Sequence, residues 1–359
     1  MNRVNKPWET FERLELGSTR LKERLITVVK AMTEKPQISI YSASGSRGQA
    51  KGAYRMLSNE KFDVSKVQSC ITASTAQVIA EQKRVLLIQD TTEIEMNTHK
   101  KTEGLGYCDQ YNRGILLHTC MAVTPEGVPL GIMNQQTKTR EKPGENEKSA
   151  YEKSKRGLEE KESYRWVEAL NQSIREIPQG VEAITVCDRE SDFYEFYNAV
   201  QKLESEYVVR VTSNRETETG EKVKERIRNA PVKAEIMIEV PRDTRNNKKA
   251  RIAEAEVKYL KVKAQKPEIR KEEGLAKELE MNIVYIKEKG AREGVEGIEW
   301  TLATNKEVID EQGAIEIINI YGKLFGKYVK KCLAPEMKEG DTLILDNASA
   351  HKVAQLWNR

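Results

Sequence analysis

Two short apolar runs constrain this chain more than any other feature, because each ends on an aspartate: VLLIQD at Asp90 and AITVCD at Asp188. A continuous run of Val, Ile and Leu over so few residues reads as a strand buried on both faces. A buried strand that stops on a carboxylate sets an oxygen donor at the rim of a sheet. Two such donors can share a hard divalent cation, and the chemistry that follows is metal-assisted phosphoryl transfer. A single run of this kind also arises where Asp merely caps the next turn or helix, so the surrounding residues have to decide.

After Gln82 the pattern is that of short strands. They fall at VLLIQ, ILLHTCMAV and VPLGIM, with Pro125, Gly127 and Pro129 punctuating the last connection. A charged stretch, TKTREKPGENEKSAYEKSKRGLEEKESYRW, reads as an exposed loop leading into a helix that ends near Ile177. The strand to Asp188, a helix over about 193–203 and the strand YVVRVT come next. Three antiparallel strands followed by alternating helix and strand make a mixed α/β layer of the ribonuclease-H-like kind. From about 216 to 304 the chain returns to β-type segments, AEIMIEV, AEAEVKYLKVKA, MNIVYIKE and IEWTLATN. Between the first two, PRDTRNNKKAR carries five basic residues and one acid at an expected hairpin tip, a basic tip suited to DNA.

The segment before Gln82 is different. The apolar residues Leu21, Leu25, Val28, Val29 and Met32 repeat at helical spacing behind Ser18 as N-cap. A second helix fits RGQAKGAYRMLSN, where Arg47, Lys51 and Arg55 recur every four residues on one face and Ala50, Tyr54 and Leu57 share another. Asp63 caps a third helix through about Glu81. Residues 1–55 hold eleven Lys or Arg against five Asp or Glu, a surplus of six, while the whole chain carries only +4. The basic excess therefore sits at the N-terminus, as in a nucleic-acid-binding domain joined to a more acidic unit. A solvated helical surface produces the same count.

Other classes fall away. No run approaches the length of a membrane span, and MNRVNKPWETFER lacks the apolar core of a signal peptide, so a soluble cytoplasmic protein is expected. The five cysteines are odd in number and form no C-x-x-C pair, and there are three histidines. Both facts argue against a disulfide framework and a zinc site.

The motifs DTTEIE from Asp90, GLGYCDQYNRGILLHT from Gly104 and CDRESDFYEFY from Cys187 resemble, in order and near spacing from about 8 to 321, the bacterial cut-and-paste transposases of the insertion-sequence-four group, to which the transposase of transposon five belongs. The resemblance implies a ribonuclease-H-like α/β core with an all-α N-terminal DNA-binding domain and a β insertion. The corresponding boundaries are 1–82, helical and DNA-binding; 83–215, the core with both Asp; 216–304, the insertion; 305–321, the start of the C-terminal core helix; and 322–359, a divergent tail. It also implies Asp90 and Asp188 as catalytic ligands of Mg²⁺ or Mn²⁺, with Asp192 an early-helix charge or orienting partner. Arg47, Lys51 and Arg55 lie in the region that helps recognise the transposon end. Arg210 falls where the family has an arginine near the DNA, Trp300 matches a tryptophan that stacks on a flipped base, and Tyr321 a phosphate-contacting tyrosine. A Trp or Tyr in such segments is as readily explained by the core. The partner implied is duplex DNA, the terminal repeats of a transposon, bound by a homodimer in the bacterial nucleoid.

The sequence then departs from the family. The signature that opens at Tyr321 requires Arg at 324, Glu at 328 and Lys at 335, where this chain has Leu324, Tyr328 and Pro335. Glu316 lies more than three turns of a continuous helix before position 328 and is not a substitute. The tail GDTLILDNASAHKVAQLWNR resembles the second-Asp motif of mariner-type transposases through Asp346, Asn347 and His351, which reads as a graft from a second mobile element; a chance match in a diverged tail is the plainer alternative. Three functions follow: a transposase truncated and impaired by loss of its third acid, a non-catalytic DNA-binding protein that inhibits an intact transposase, and an unrelated metal-dependent nuclease of the same fold.

Overall fold

A computed structural model describes residues 6–35, 38–98, 101–142, 157–240, 250–270, 273–290 and 297–328. The basic tip at 241–249 and the tail with Asp346, Asn347 and His351 lie outside them. Up to Gln82 the described elements are helical: a 3-10 turn Pro7–Phe11, then α1 (Thr19–Glu34), α2 (Ile40–Ala43), α3 (Arg47–Leu57) and α4 (Val64–Ile79). Asp63 caps α4 as expected, its Oδ1 accepting from the amides of Ser65 and Lys66. Ser46 caps α3 by accepting from the Gln49 amide, after a turn in which Gly45 takes φ +61°, the left-handed conformation that favours glycine. Phe11, Leu14, Leu16, Leu25 and Met56 form a small core among these helices.

The buried face of α3 is Ala50, Ala53 and Met56, which corrects the expected Ala50, Tyr54, Leu57 face. The small Ala side chains let α3 approach α1 closely, so the packing centre moves to Ala53. Tyr54 and Leu57 are left 48% and 47% exposed.

The described strands form one ten-stranded sheet: β1 (Arg84–Glu95), β2 (Gly106–Tyr107), β3 (Arg113–Val123), β4 (Pro129–Lys138), β5 (Glu182–Cys187), β6 (Glu206–Arg210), β7 (Ala234–Val240), β8 (Arg251–Gln265), β9 (Glu278–Glu288) and β10 (Glu299–Thr304). The order is β2-β3-β1-β5-β6-β10-β9-β8-β7, with β4 outside β3. β1, β3 and β4 pair antiparallel, whereas β1, β5 and β6 run parallel. The parallel connections are α5 (Tyr164–Arg175) before β5 and α6 (Tyr194–Lys202) before β6, which is the expected succession of three antiparallel strands and then alternating helix and strand. The expected insertion, 216–304, extends the sheet of the core. After the short helix α7 (Val223–Asn229), its strands continue the same sheet because β10 pairs antiparallel with β6.

Side-chain alternation sorts the two faces. Leu86, Ile184, Val186, Val208, Val284, Ile286 and Leu302 pack against Ala314, Ile317, Ile318 and Tyr321 of α8 (Glu311–Tyr328). Those four recur at the spacing of one helical stripe. The helix runs on through 322–328, past the point where the family resemblance ends. Trp166, Leu170, Phe196, Tyr197, Cys187 and Val209 fill the other face. α4 belongs to both cores. Val67, Cys70 and Ile71 face the helices, whereas Thr72 and Thr75 donate to the carbonyls of Met133 and Ile132 at 2.9 and 3.1 Å. Gly131, at φ +151°, permits that contact, since a Cβ there would lie 2.3 Å from Thr75 Oγ1.

Candidate functional site

Asp90 is not at the end of its strand, as the sequence suggested; β1 continues to Glu95 as a hairpin with β3. What ends near Asp90 is the parallel neighbour. The last pair between β1 and β5 is Gln89 with Cys187, and the last between β5 and β6 is Cys187 with Val209. One residue further along, Asp90, Asp188 and Arg210 stand in a row across three adjacent strands. Neighbouring strands are about 4.8 Å apart, so the two carboxylates share one rim although they are far apart in sequence. By alternation with Ile88, Val186 and Val208 all three lie on the face covered by α8.

Asp188 is 2% exposed. Its Oδ1 accepts from the Glu190 amide at 2.9 Å, so it caps the short turn that follows the strand as well as facing the rim. Of the two roles weighed from the sequence, the cap is the one these bonds make directly. Tyr321 descends from α8 onto the row. Burial pushes its hydroxyl well above the usual phenol range, the positive charge of Arg210 opposes that, and the charges of Asp188 and Asp90 add to it. The ring of Tyr321, 1% exposed, meets the edge of Trp300 with centroids 5.3 Å apart. Trp300 also lies over Gly322, where a Cβ would approach it to 2.8 Å. Thus Asp90, Asp188, Arg210, Trp300 and Tyr321 converge, while Arg47, Lys51 and Arg55 lie exposed on α3 with Tyr54 among them.

Asp192 is a structural acceptor. It takes hydrogen bonds from Tyr197 Oη at 2.7 Å and from the amides of Thr212 and Ser213 at 2.6 Å each, and pairs with the buried Arg215. These bonds fix the chain just after Arg210. Glu316 is engaged elsewhere, bound to Arg84 at 2.7 Å at the far end of β1. Lys306 completes that distant cluster by bridging Glu182 and Glu206 at 2.8 Å each. Among the described residues no group of three or more His, Cys, Asp or Glu side chains is placed to hold a metal ion. Asp90 and Asp188 supply two hard oxygen donors, a partial set for Mg²⁺ or Mn²⁺.

The sequence reading missed the polar layer under this rim: Gln89, Thr91, His118 and Arg165, all buried. Gln89 and Thr91 flank Asp90 and interrupt an apolar strand, which was the available signal.

Residues 8–62 match the family model of transposase DNA-binding domains. No curated protein matches the chain. Among solved structures, the cryo-EM structure of a piggyBac transposase synaptic complex with hairpin DNA is similar at 10% identity and a TM-score of 0.39, over 86% of this chain and 59% of that one. The chain thus spans 59% of the length of that protein. No helix among the described residues is long and apolar enough to cross a membrane.

Proposed function

We propose that this chain is a DNA transposase by descent, with a helical N-terminal domain that binds transposon ends and a ribonuclease-H-like core whose cutting site is incomplete. The observation that carries the reading is a junction: the segment with the transposase DNA-binding match contains the exposed basic face of α3, and α4 packs onto the sheet that bears the acid pair. Arg47, Lys51 and Arg55 neutralise phosphates along a duplex, and Tyr54 among them offers an aromatic surface. At the rim, Asp90 and Asp188 would hold Mg²⁺ or Mn²⁺, which would supply charge to activate an attacking oxygen and neutralise a leaving one. Arg210 draws the scissile phosphate to the pair, and Tyr321 contacts a phosphate beside it. Trp300, packed against Tyr321, marks the wall on which an unstacked base rests.

Tyr328 in place of the signature glutamate favours a second reading, in which the protein occupies transposon ends without cutting them and so inhibits an intact transposase. Both readings are tested by a gel shift and a cleavage assay in Mg²⁺ on the same terminal-repeat duplex. Specific binding with residual, strongly reduced cleavage fits the impaired transposase, specific binding with no cleavage fits the inhibitor, and efficient cleavage overturns the incomplete site. Binding no better than to random duplex rejects both.

A further inference from the structure

On the opposite face of β1 from Asp90 lies a buried cation. Arg165, at the start of α5, is 5% exposed, and its guanidinium is divided among three segments. Nε donates to Thr91 Oγ1 at 3.1 Å, Nη1 to Glu162 O and Oε1 at 2.9 and 3.0 Å, and Nη2 to Glu190 Oε2 at 2.6 Å. Two of these segments adjoin the acid pair directly: Thr91 follows Asp90, and the Glu190 amide donates to Asp188.

The chain of bonds runs further and has one direction. Gln89 Oε1 lies 3.2 Å from His118 Nε2 and can only accept, which puts the His118 proton on Nε2. Thr91 Oγ1, which accepts from Arg165, then donates to His118 Nδ1 at 2.9 Å. Gln89 precedes Asp90. Gln89 and Thr91, the β1 residues on either side of Asp90, are thereby tied to one guanidinium and to the turn that holds Asp188.

We propose that Arg165 is a positioning residue for the acid pair, holding the β1 residues beside Asp90 and the turn after Asp188 in one frame so that the two carboxylates keep a fixed spacing. The proposal rests on the reading of Asp90 and Asp188 as cation ligands. Desolvating a guanidinium is costly, and a well-packed apolar side chain often stabilises such a position as well or better. What Arg adds is a rigid planar fork that can address three segments at once. Partners of this kind govern metal affinity by roughly 10–100-fold.

The test uses the full chain and Mn²⁺ alone, followed by electron paramagnetic resonance, beside ¹⁵N spectra of the histidines with His118 assigned by its loss in His118→Gln. The wild type is expected to bind Mn²⁺, Asp90→Asn and Asp188→Asn to lose it, and Arg165→Lys and Thr91→Val to weaken it about 10-fold or more. Arg165→Lys should also remove the fixed Nε2–H tautomer of His118. Thr91→Val keeps shape and volume, so it carries the test if Arg165→Lys fails to fold. Wild-type affinity in both variants overturns the positioning role while leaving the cation reading intact. If the wild type binds no Mn²⁺, the cation reading fails, and unchanged His118 spectra in Arg165→Lys then overturn the clamp itself.

Discussion

His118 makes the polar layer measurable without DNA or metal. Burial first, then the charges of Arg165 and Lys138, depress its pKa from 6.5 to about 3. In the unfolded chain it takes up a proton as pH falls through about 6.5, whereas in the native state it stays neutral until about pH 3. Across that window the unfolded state binds more protons, so stability rises with pH and is lost on acidification. The loss approaches about 1.4 kcal/mol per pH unit once the unfolded histidine is fully charged, which integrates to about 2 kcal/mol between pH 7.5 and pH 5. The assay is urea unfolding at pH 7.5, 6, 5 and 4.5, on the wild type and on His118→Gln. Other groups titrate in this range too, so the informative quantity is the difference between the two proteins. The wild type should lose about 2 kcal/mol more than the variant by pH 5. Parallel curves, or a native His118 titrating near 6.5 by NMR, would refute the reasoning.

Three further outcomes test other parts of the structure. Replacing Arg47, Lys51 and Arg55 together by Ala should weaken binding to terminal-repeat duplex and flatten the salt dependence by about one in slope for each phosphate no longer neutralised; fluorescence anisotropy between 50 and 200 mM salt measures it, and an unchanged slope would remove α3 from the DNA face. Gly131→Ala places a Cβ against Thr75 in a left-handed backbone position and should cost about 1–3 kcal/mol in urea unfolding; no cost would mean that α4 does not press on β4 there. The chain as it stands should not excise a marked transposon in Mg²⁺, and replacing everything after Tyr321 by a helix of the family type, which changes Leu324→Arg and Tyr328→Glu, should restore cutting; failure of that repair would locate the damage elsewhere.

Strand identity was legible because apolar runs punctuated by Gly and Pro carry their own signal, and the resemblance supplied the pairing of Asp90 with Asp188. Two features were not legible. The extension of β1 past Asp90 depends on β3 as a hairpin partner, and the polar letters TTEIE read as the end of a strand when that partner is not considered. Arg165 stood in a charged stretch that reads as solvated, yet Thr91, Glu162 and Glu190 gather around it from three places in the chain. Local pattern cannot report burial that long-range partners create. Tyr54 and Leu57 failed for the opposite reason, since helical periodicity assigns a face but not which neighbour is small enough to approach it.

The charges at the rim give the missing acid a specific consequence. Two carboxylates held at the spacing of neighbouring strands, about 5 Å, would repel by about 3 kcal/mol at an effective dielectric of about 20, so such a pair needs positive charge nearby. Arg210 supplies one unit and leaves the row of Asp90, Asp188 and Arg210 at −1. One divalent cation would turn this to +1, a balance that suits a single phosphodiester. A second would raise it to +3 in a partly buried site, and a third carboxylate is what offsets that excess in a complete two-ion centre. If Asp90 and Asp188 hold the ions as proposed, Tyr328 in place of a glutamate would therefore fall on the second ion far more than on the first. Under the proposed reading the protein keeps one cation and its grip on DNA, and loses the symmetric clamp on attacking and leaving oxygens that cutting requires. A Mn²⁺ stoichiometry of one for this chain and two for the version with the replaced helix would support that division. Two ions bound with equal affinity to the present chain would show that another acid has taken the third place.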